Sequence, residues 1–175
     1  KVSVILNVED DPMDFFKEIN DIRNSFRRFA ELIPEDGLLV ISADIDNYEE
    51  LTANVKCKVV TFGNNPEADY TAADVSYNEK GFGRFSVVRS EKALENANTV
   101  HCSGNAAASG AVDAEQKGSE YVELSVPGAH NITNALASIA IADFLNINKE
   151  SVDAGLKVFH GADRRFQLKG EFNGI

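Results

Sequence analysis

The chain has 175 residues, 43% of them hydrophobic, which is enough for one domain with a sizeable buried core. Its formal net charge of -11 excludes functions that need clustered Lys and Arg, namely binding to nucleic acid backbones or to anionic membranes. The sequence contains no run of 18 apolar residues and no basic-then-apolar leader, so it predicts neither a membrane span nor a signal peptide and favours a cytoplasmic protein.

The first half of the chain alternates predicted strands and helices. An apolar strand at 1–6 precedes Asp11-Pro12, which has the form of a helix N-cap followed by a first-turn proline, with Asp14 in the acidic first turn. A strand at 38–41, a short helix at 48–53 and a strand at 59–62 come next. This order predicts right-handed crossovers and a parallel sheet. Apolar residues recur every three or four positions along the first helix: Phe15, Ile19, Ile22, Phe26, Phe29 and Ile33.

The second half begins with a different pattern. Residues 70–77 and 83–88 flank Asn78-Glu79-Lys80-Gly81, which predicts an antiparallel hairpin. Residues 91–120 are rich in Ala, Asn, Ser, Gly and Glu with little periodicity, so we expect a flexible insertion there. A strand at 121–126 and two helices complete the chain, the first using Ile132, Leu136, Ile139 and Phe144 and the second spanning 148–159. The predicted fold class is α/β, a mostly parallel sheet flanked by helices with a small antiparallel hairpin region.

The cysteines and the chain ends add two expectations. Cys57 and Cys102 show no CxxC spacing and no His cluster of metal-site type, so we expect both to be reduced thiols. The chain begins directly in a strand and stops without a helix cap or a tail. We therefore expect it to be a piece of a longer protein.

The most informative stretch is the predicted exit from the 121–126 strand into an apolar helix, Pro127-Gly128-Ala129-His130-Asn131-Ile132-Thr133-Asn134-Ala135-Leu136-Ala137. Helix starts offer unpaired N–H groups and a positive dipole end, which suit a flat, anionic ligand such as an adenine nucleotide. Asn131 and Asn134 are neighbours on one helix face, where amides can pair with an adenine edge. By spacing alone, a helix cap or a solvated residue remains the alternative for each Asn, and local hydrogen bonding remains the alternative for His130.

Two further groups of charged residues are candidates. Arg164 and Arg165 follow Gly161 and have the donor geometry for a phosphate or a ribose, with a surface salt-bridge cluster as the alternative. Residues 7–14 place four carboxylates after the first strand, a position suited to Mg²⁺. The alternative for this second group is a capped helix with an acidic first turn.

Taken together, these segments resemble the central domain of the Mur ligases over nearly the whole chain. Three motifs carry the resemblance in the family's order: Asn7-Val8-Glu9 with Asp11 and Asp14, then the 127–137 segment, then Arg164-Arg165-Phe166-Gln167 running into 169–174. The middle motif is typical of the wider superfamily. The last motif resembles more specifically the members that add L-alanine.

The resemblance implies an ATP-dependent ligase of peptidoglycan synthesis that uses ATP and Mg²⁺. The whole enzyme would phosphorylate the lactyl carboxylate of UDP-N-acetylmuramate, and the amine of L-alanine would attack the acyl phosphate. The resemblance assigns adenine contacts to His130, Asn131 and Asn134. It assigns a phosphate or ribose contact to Arg165, with Arg164 alongside, and it places Asp11 and Asp14 on the substrate side.

The chain departs from the family pattern in two ways that shape the expectations. Pro12 stands where the family has a metal-centre His, and it offers no side-chain ligand. The family's phosphate loop would lie upstream of Lys1 and its C-terminal domain beyond Ile175, so we expect residues 1–168 to be a central domain without that loop. Residues 169–175 would begin a linker. We do not expect the isolated chain to catalyse the reaction.

Two other functions stay open from the sequence. One is a non-catalytic nucleotide-binding or interaction module that keeps the fold, which Pro12 and the absent loop motivate. The other is a related ligase of the folylpolyglutamate or tripeptide-recycling type, against which the Phe172-Asn173-Gly174 ending argues.

Overall fold

The structure is a computed structural model that describes residues 1–9, 18–98 and 121–161. Six strands and five helices follow one another along these ranges. In chain order they are β1 (Val2–Ile5), α1 (Ile19–Glu31), β2 (Leu38–Ser42), α2 (Tyr48–Thr52), β3 (Lys58–Phe62), β4 (Tyr70–Tyr77), β5 (Phe82–Arg89), α3 (Glu91–Asn98), β6 (Tyr121–Pro127), α4 (Ala129–Phe144) and α5 (Lys149–Val158).

The strands form one sheet in which each strand lies beside its neighbour in sequence, from β1 to β6. Strands β1 to β4 run parallel, although β3 and β4 meet only at the pair Phe62 and Tyr70. Strands β4, β5 and β6 are antiparallel to one another in succession, so β6 runs in the same direction as β1 to β4. The predicted α/β class and the predicted hairpin are both confirmed, and the hairpin belongs to the same sheet as the parallel strands.

The sheet is covered on both faces, which explains the continuous apolar run of β2. Leu38 and Val40 are fully buried on the face that packs against α4. Leu39 and Ile41 are fully buried on the other face, in the cluster that includes residues of α1 and α2. A strand buried on both faces needs apolar residues at every position rather than at alternate ones. Cys57 is a free thiol buried in the same cluster as Leu39 and Ile41. Cys102 lies outside the described residues.

Helix α1 differs from its prediction at its start and along its buried face. It begins at Ile19, directly after Glu18, whose backbone is extended, and not at the predicted start Asp11-Pro12. Asp11, Pro12 and Phe15 lie outside the described residues. Phe29, predicted to face the core, is 44% exposed. The fully buried Ala30 takes that place, because its small side chain lets the helix approach the sheet closely.

The prediction of a flexible insertion from residue 91 is wrong for its first part, where α3 spans Glu91–Asn98. The Ser90 Oγ accepts a hydrogen bond from the backbone N–H of Ala93 at 3.1 Å, which is the arrangement of a helix N-cap. Ala93 is 1% exposed and belongs to the core cluster on the α4 side. The cap and the buried side chain of Ala93 hold the start of this helix against the core. Residues 99–120 lie outside the described residues.

A buried carboxylate ties α3 to the middle of the sheet. Asp69 is 4% exposed, and its Oδ2 accepts hydrogen bonds from the backbone N–H and the hydroxyl of Thr61, at 3.0 and 3.2 Å. Its Oδ1 accepts the hydroxyl proton of Ser90 at 2.9 Å. The same side chain therefore links β3, the start of β4 and the cap of α3.

A second polar group fixes the C-terminal end of α4 to the sheet. The Asp143 Oδ2 accepts hydrogen bonds from the Tyr70 hydroxyl and from the Arg89 Nε, each at 2.8 Å. The Arg89 guanidinium also lies over the Tyr70 ring, 5.7 Å from its centre. Burial and the Asp143 carboxylate raise the pKa of Tyr70 above its ordinary value of 10.

We expect Tyr70→Phe to lower the free energy of unfolding at pH 7 by about 1.5 kcal/mol, because it removes one hydrogen bond to a charged acceptor. The stability linked to the Tyr70 proton is complete below pH 10. It is lost as the pH rises above 10, because the unfolded chain then releases this proton more readily than the folded chain. Urea unfolding at pH 7 and pH 10.5 measures both effects.

The matched control is Tyr77→Phe, since Tyr77 is 49% exposed. We expect it to change stability by less than about 0.5 kcal/mol. An equal loss of stability in both variants would contradict the role given to the bond between Tyr70 and Asp143.

Candidate functional site

The carboxyl ends of five strands lie along one edge of the sheet. Because β1, β2, β3, β4 and β6 run in the same direction, the residues that follow them belong to this edge. They include Asn7 after β1, Asp44 after β2 and Gly128 after β6. Ligands of open α/β sheets bind at the carboxyl ends of the strands, so this edge is where a site is expected.

The connection from β6 to α4 is the tightest turn at this edge. Gly128 separates the two elements with φ +103° and ψ 141°, a backbone conformation that residues with a side chain rarely adopt. A Cβ at Gly128 would lie 2.7 Å from Cε1 and 3.0 Å from Nδ1 of His130. The imidazole of His130 is thus folded back over the Gly128 backbone, in space that only glycine leaves free.

The β4–β5 hairpin supports this turn from the side. The Asn78 Oδ1 accepts hydrogen bonds from the backbone N–H groups of Lys80 and Phe82, both at 3.0 Å, which orders the hairpin turn. The carbonyl of Gly81 then accepts the N–H of Gly128 at 3.3 Å. As predicted, the segment around Gly81 is a hairpin turn, and it supports the start of α4.

Close packing between β5 and α4 sets how near the start of the helix lies to the sheet. A Cβ at Gly83 would lie 2.9 Å from both Cγ1 and Cδ1 of Ile132, which is itself 5% exposed. Only glycine at this position lets the first turn of α4 sit so close to the strand. The buried face of α4 continues through Ile132, Ala135, Leu136, Ala137, Ile139, Ala140 and Ala142.

The three predicted adenine-site residues lie together on the first two turns of α4, but they are not equivalent. His130 and Asn134 are exposed and one turn apart, whereas Asn131 is half-buried. The Asn131 Nδ2 donates a hydrogen bond to the carbonyl of Pro127 at 2.7 Å. This bond holds the end of β6 to the helix. The structure therefore gives Asn131 a positioning role that the sequence pattern did not indicate.

The first turn of α4 is suited to an acceptor or an anion. Gly128, as the N-cap, provides no side chain to accept the first N–H groups of the helix. The first turn carries no acidic residue, although the whole chain has a net charge of -11. The positive end of the helix dipole is therefore not neutralised from within the turn.

Asp44 also lies at this edge, and the sequence analysis did not predict a role for it. Its carboxylate accepts the backbone N–H groups of Asn64 and Asn65, at 2.9 and 3.0 Å, and the side-chain Nδ2 of Asn64 at 2.9 Å. These bonds join the loops that follow β2 and β3. No periodic pattern marks a residue whose partners are 20 and 21 positions away, so only the tertiary structure reveals it.

Several predicted site residues lie outside the described part of the chain. They are Asp11, Pro12 and Asp14 of the first motif, and Arg164 and Arg165 of the last. Within residues 1–9, 18–98 and 121–161, no group of three or more His, Cys, Asp or Glu side chains is arranged to hold a metal ion. In the same residues, none of the helices has the length and apolar character needed to span a membrane.

Comparison with known proteins agrees with this architecture. The family model of the Mur ligase middle domain matches residues 1–142. The chain is 40% identical to the UDP-N-acetylmuramate--L-alanine ligase of Lachnospira eligens, over 99% of this chain and 33% of that protein. It thus spans about a third of the length of the curated relatives that it matches.

Solved structures support the same fold. MurF from Acinetobacter baumannii superimposes with a TM-score of 0.69 at 21% identity, over 97% of this chain and 32% of that chain. A UDP-N-acetylmuramoyl-L-alanyl-D-glutamate--2,6-diaminopimelate ligase superimposes with a TM-score of 0.70 at 18% identity, over 98% of this chain and 31% of that chain. At these identities the similarity establishes the fold alone.

Proposed function

The chain belongs to the Mur ligase middle-domain family, and on that premise we propose that it forms the adenine-nucleotide part of an ATP-dependent ligase joining L-alanine to UDP-N-acetylmuramate. We infer the two substrates from the names of the relatives at 36 to 40% identity. They favour this ligase over the folylpolyglutamate and tripeptide-recycling types. The protein that contains the chain would act in peptidoglycan synthesis.

The observation that carries the nucleotide proposal is the start of α4. An uncapped first turn, His130 over Gly128 and exposed Asn134 present donors and acceptors at the carboxyl edge of the sheet. Adenine offers a donor and an acceptor on one edge, which an Asn amide matches. We propose adenine contacts for His130, Asn131 and Asn134, and we give Asn131 the additional role of holding this turn in place.

The proposed reaction has two steps. A carboxylate oxygen of UDP-N-acetylmuramate attacks the γ-phosphorus of ATP, the bond from that phosphorus to the β–γ bridging oxygen breaks, and ADP leaves. The amine of L-alanine then attacks the acyl carbon, the bond from that carbon to the phosphate oxygen breaks, and inorganic phosphate and a proton leave. Such transfers depend on positioning and on charge neutralisation, which Mg²⁺ supplies when bound.

The remaining predicted residues complete the proposal. We propose residues 1–168 as the central domain and 169–175 as the start of a linker. Arg165, with Arg164 beside it, is proposed to contact a phosphate or the ribose. Asp11 and Asp14 are proposed to lie on the substrate side, where Mg²⁺ is also expected. Pro12 removes one side-chain ligand from that region.

The nucleotide site is tested by titrating the ¹⁵N-labelled chain with ADP and following backbone amide shifts. We expect shifts centred on residues 128–134, and we expect Asn134→Ala to weaken ADP binding about tenfold, which corresponds to the loss of about 1.4 kcal/mol. Ser138→Ala is the matched control, because Ser138 is exposed one turn further along the same helix. Equal affinities in the two variants, or no shifts at 128–134, would contradict the proposed adenine site.

The ligase activity is tested separately, in the full-length protein that contains this chain. Phosphate release from ATP should require both UDP-N-acetylmuramate and L-alanine. If ADP binds the chain as expected but no amino acid supports phosphate release, the nucleotide-binding module without catalysis is the correct function.

A further inference from the structure

A polar groove lies between α1 and α2, on the face of the sheet opposite α4. Its lining comprises Asn20, Arg23, Asn24 and Arg27 of α1 with Glu50 and Leu51 of α2, and it encloses about 160 Å³. The four α1 residues are spaced three and four apart, so they form one stripe along the helix. Neither the nucleotide site nor the proposed reaction uses this stripe.

The guanidinium of Arg23 is held in one orientation in the groove. Its Nη1 donates to the carbonyl of Asp46 and its Nη2 to the carbonyl of Asn47, both at 2.8 Å. Its side chain is only 17% exposed. These bonds hold the guanidinium against the start of α2, so its orientation is set before any ligand arrives. Preorganised donors cost less conformational entropy on binding than free ones.

Arg27 adds a second guanidinium one turn further along the helix, and it is exposed. Glu50 is the acidic residue in the lining; its Oε2 lies 3.4 Å from the Arg23 Nη2, and its side chain is 70% exposed. An ion pair of this length with one partner 70% exposed contributes little, and its carboxylate is readily replaced. Two arginines against one carboxylate leave the lining with an excess positive charge, in a chain whose net charge is -11.

We propose that this groove is an anion site that binds the phosphate group of a small phosphorylated molecule. Planar guanidinium groups donate pairs of hydrogen bonds to phosphate oxygens, and the Asn20 and Asn24 amides can add further donors. A phosphate dianion offers more charge and more acceptor oxygens than the single carboxylate of Glu50, so it replaces that carboxylate as the partner of the Arg23 guanidinium. The groove also begins where α2 follows the carboxyl end of β2, which is the ligand edge of the sheet.

The test is titration of the ¹⁵N-labelled chain with inorganic phosphate at constant ionic strength, with amide shifts followed by NMR. We expect saturable shifts confined to residues 20–27 and 46–51, and Arg27→Gln to weaken this binding at least fivefold. Arg28→Gln is the matched control, because Arg28 is exposed on the same helix but does not line the groove. Glycerol 2-phosphate in place of inorganic phosphate distinguishes a phosphate ester from the free ion as the ligand.

Three results would overturn the proposal. The first is an absence of saturable shifts, the second an equal loss of binding in Arg27→Gln and Arg28→Gln, and the third equal binding of acetate and phosphate. The nucleotide proposal is tested by the chemical shifts of different amides, those of residues 128–134. The same set of spectra therefore distinguishes failure of one proposal from failure of the other.

Discussion

Asp69→Ala is expected to lower the free energy of unfolding by about 3–4 kcal/mol, the largest effect of any single substitution proposed for this chain. The carboxylate is 4% exposed and accepts three hydrogen bonds, two from Thr61 and one from Ser90. Alanine would leave the buried Thr61 N–H without this acceptor and would free the side chain that caps α3. Urea unfolding followed by circular dichroism measures the loss.

The matched control for Asp69 is Asp153→Ala. Asp153 pairs with Lys149 one turn away on the surface of α5, where such pairs contribute about 0.5 kcal/mol or less. Increased hydrogen exchange confined to β3, β4 and α3 would show that the loss arises from the Asp69 contacts. A change below about 1 kcal/mol in Asp69→Ala would contradict the structural role given to this carboxylate.

Gly128→Ala is expected to destabilise the chain by about 2–3 kcal/mol and to weaken ADP binding at least tenfold. The stability loss follows from φ +103°, which an L side chain adopts only with strain. The binding loss follows from the added Cβ, which would lie 2.7 Å from the His130 ring and so displace it. Thermal unfolding and the ADP titration measure the two effects separately.

Gly155→Ala is the control for Gly128. Gly155 lies inside α5, and a Cβ added there would meet no neighbouring atom within 4 Å, so alanine should stabilise the helix by about 0.5–1 kcal/mol. ADP affinity should not change. If Gly128→Ala kept both the stability and the affinity of the unsubstituted chain, the geometry of the β6–α4 turn would not be what organises the nucleotide site.

The regular elements were predictable because their signals are local. The fully apolar run in β2, the turn residues between β4 and β5, and the Ile132, Leu136 and Ile139 spacing in α4 each predict an element that the structure contains. Phe29 and α3 were predicted wrongly because their environments depend on distant partners. The sheet approaches α1 at Ala30, and α3 depends on Ser90, which Asp69 holds.

The candidate site was predictable in its position but not in its division of roles. The 127–137 segment indicated a ligand at a helix start, and the structure places His130, Asn131 and Asn134 there. That Asn131 donates to the Pro127 carbonyl, and that Gly81 braces Gly128 from the hairpin, depends on contacts that no spacing rule contains.

The sequence by itself determined the α/β class, the order of strands and helices, the family resemblance and the helix start that carries the nucleotide proposal. These follow from periodicity, turn chemistry and short motifs, all of which operate between residues close in the chain. Only the tertiary structure decided that Asp69, Asp44 and Asp143 are structural acceptors, and that Arg23 and Arg27 line a groove beside Glu50. The physical reason is that hydrogen bonds and burial depend on groups far apart in sequence, which only the folded chain brings together.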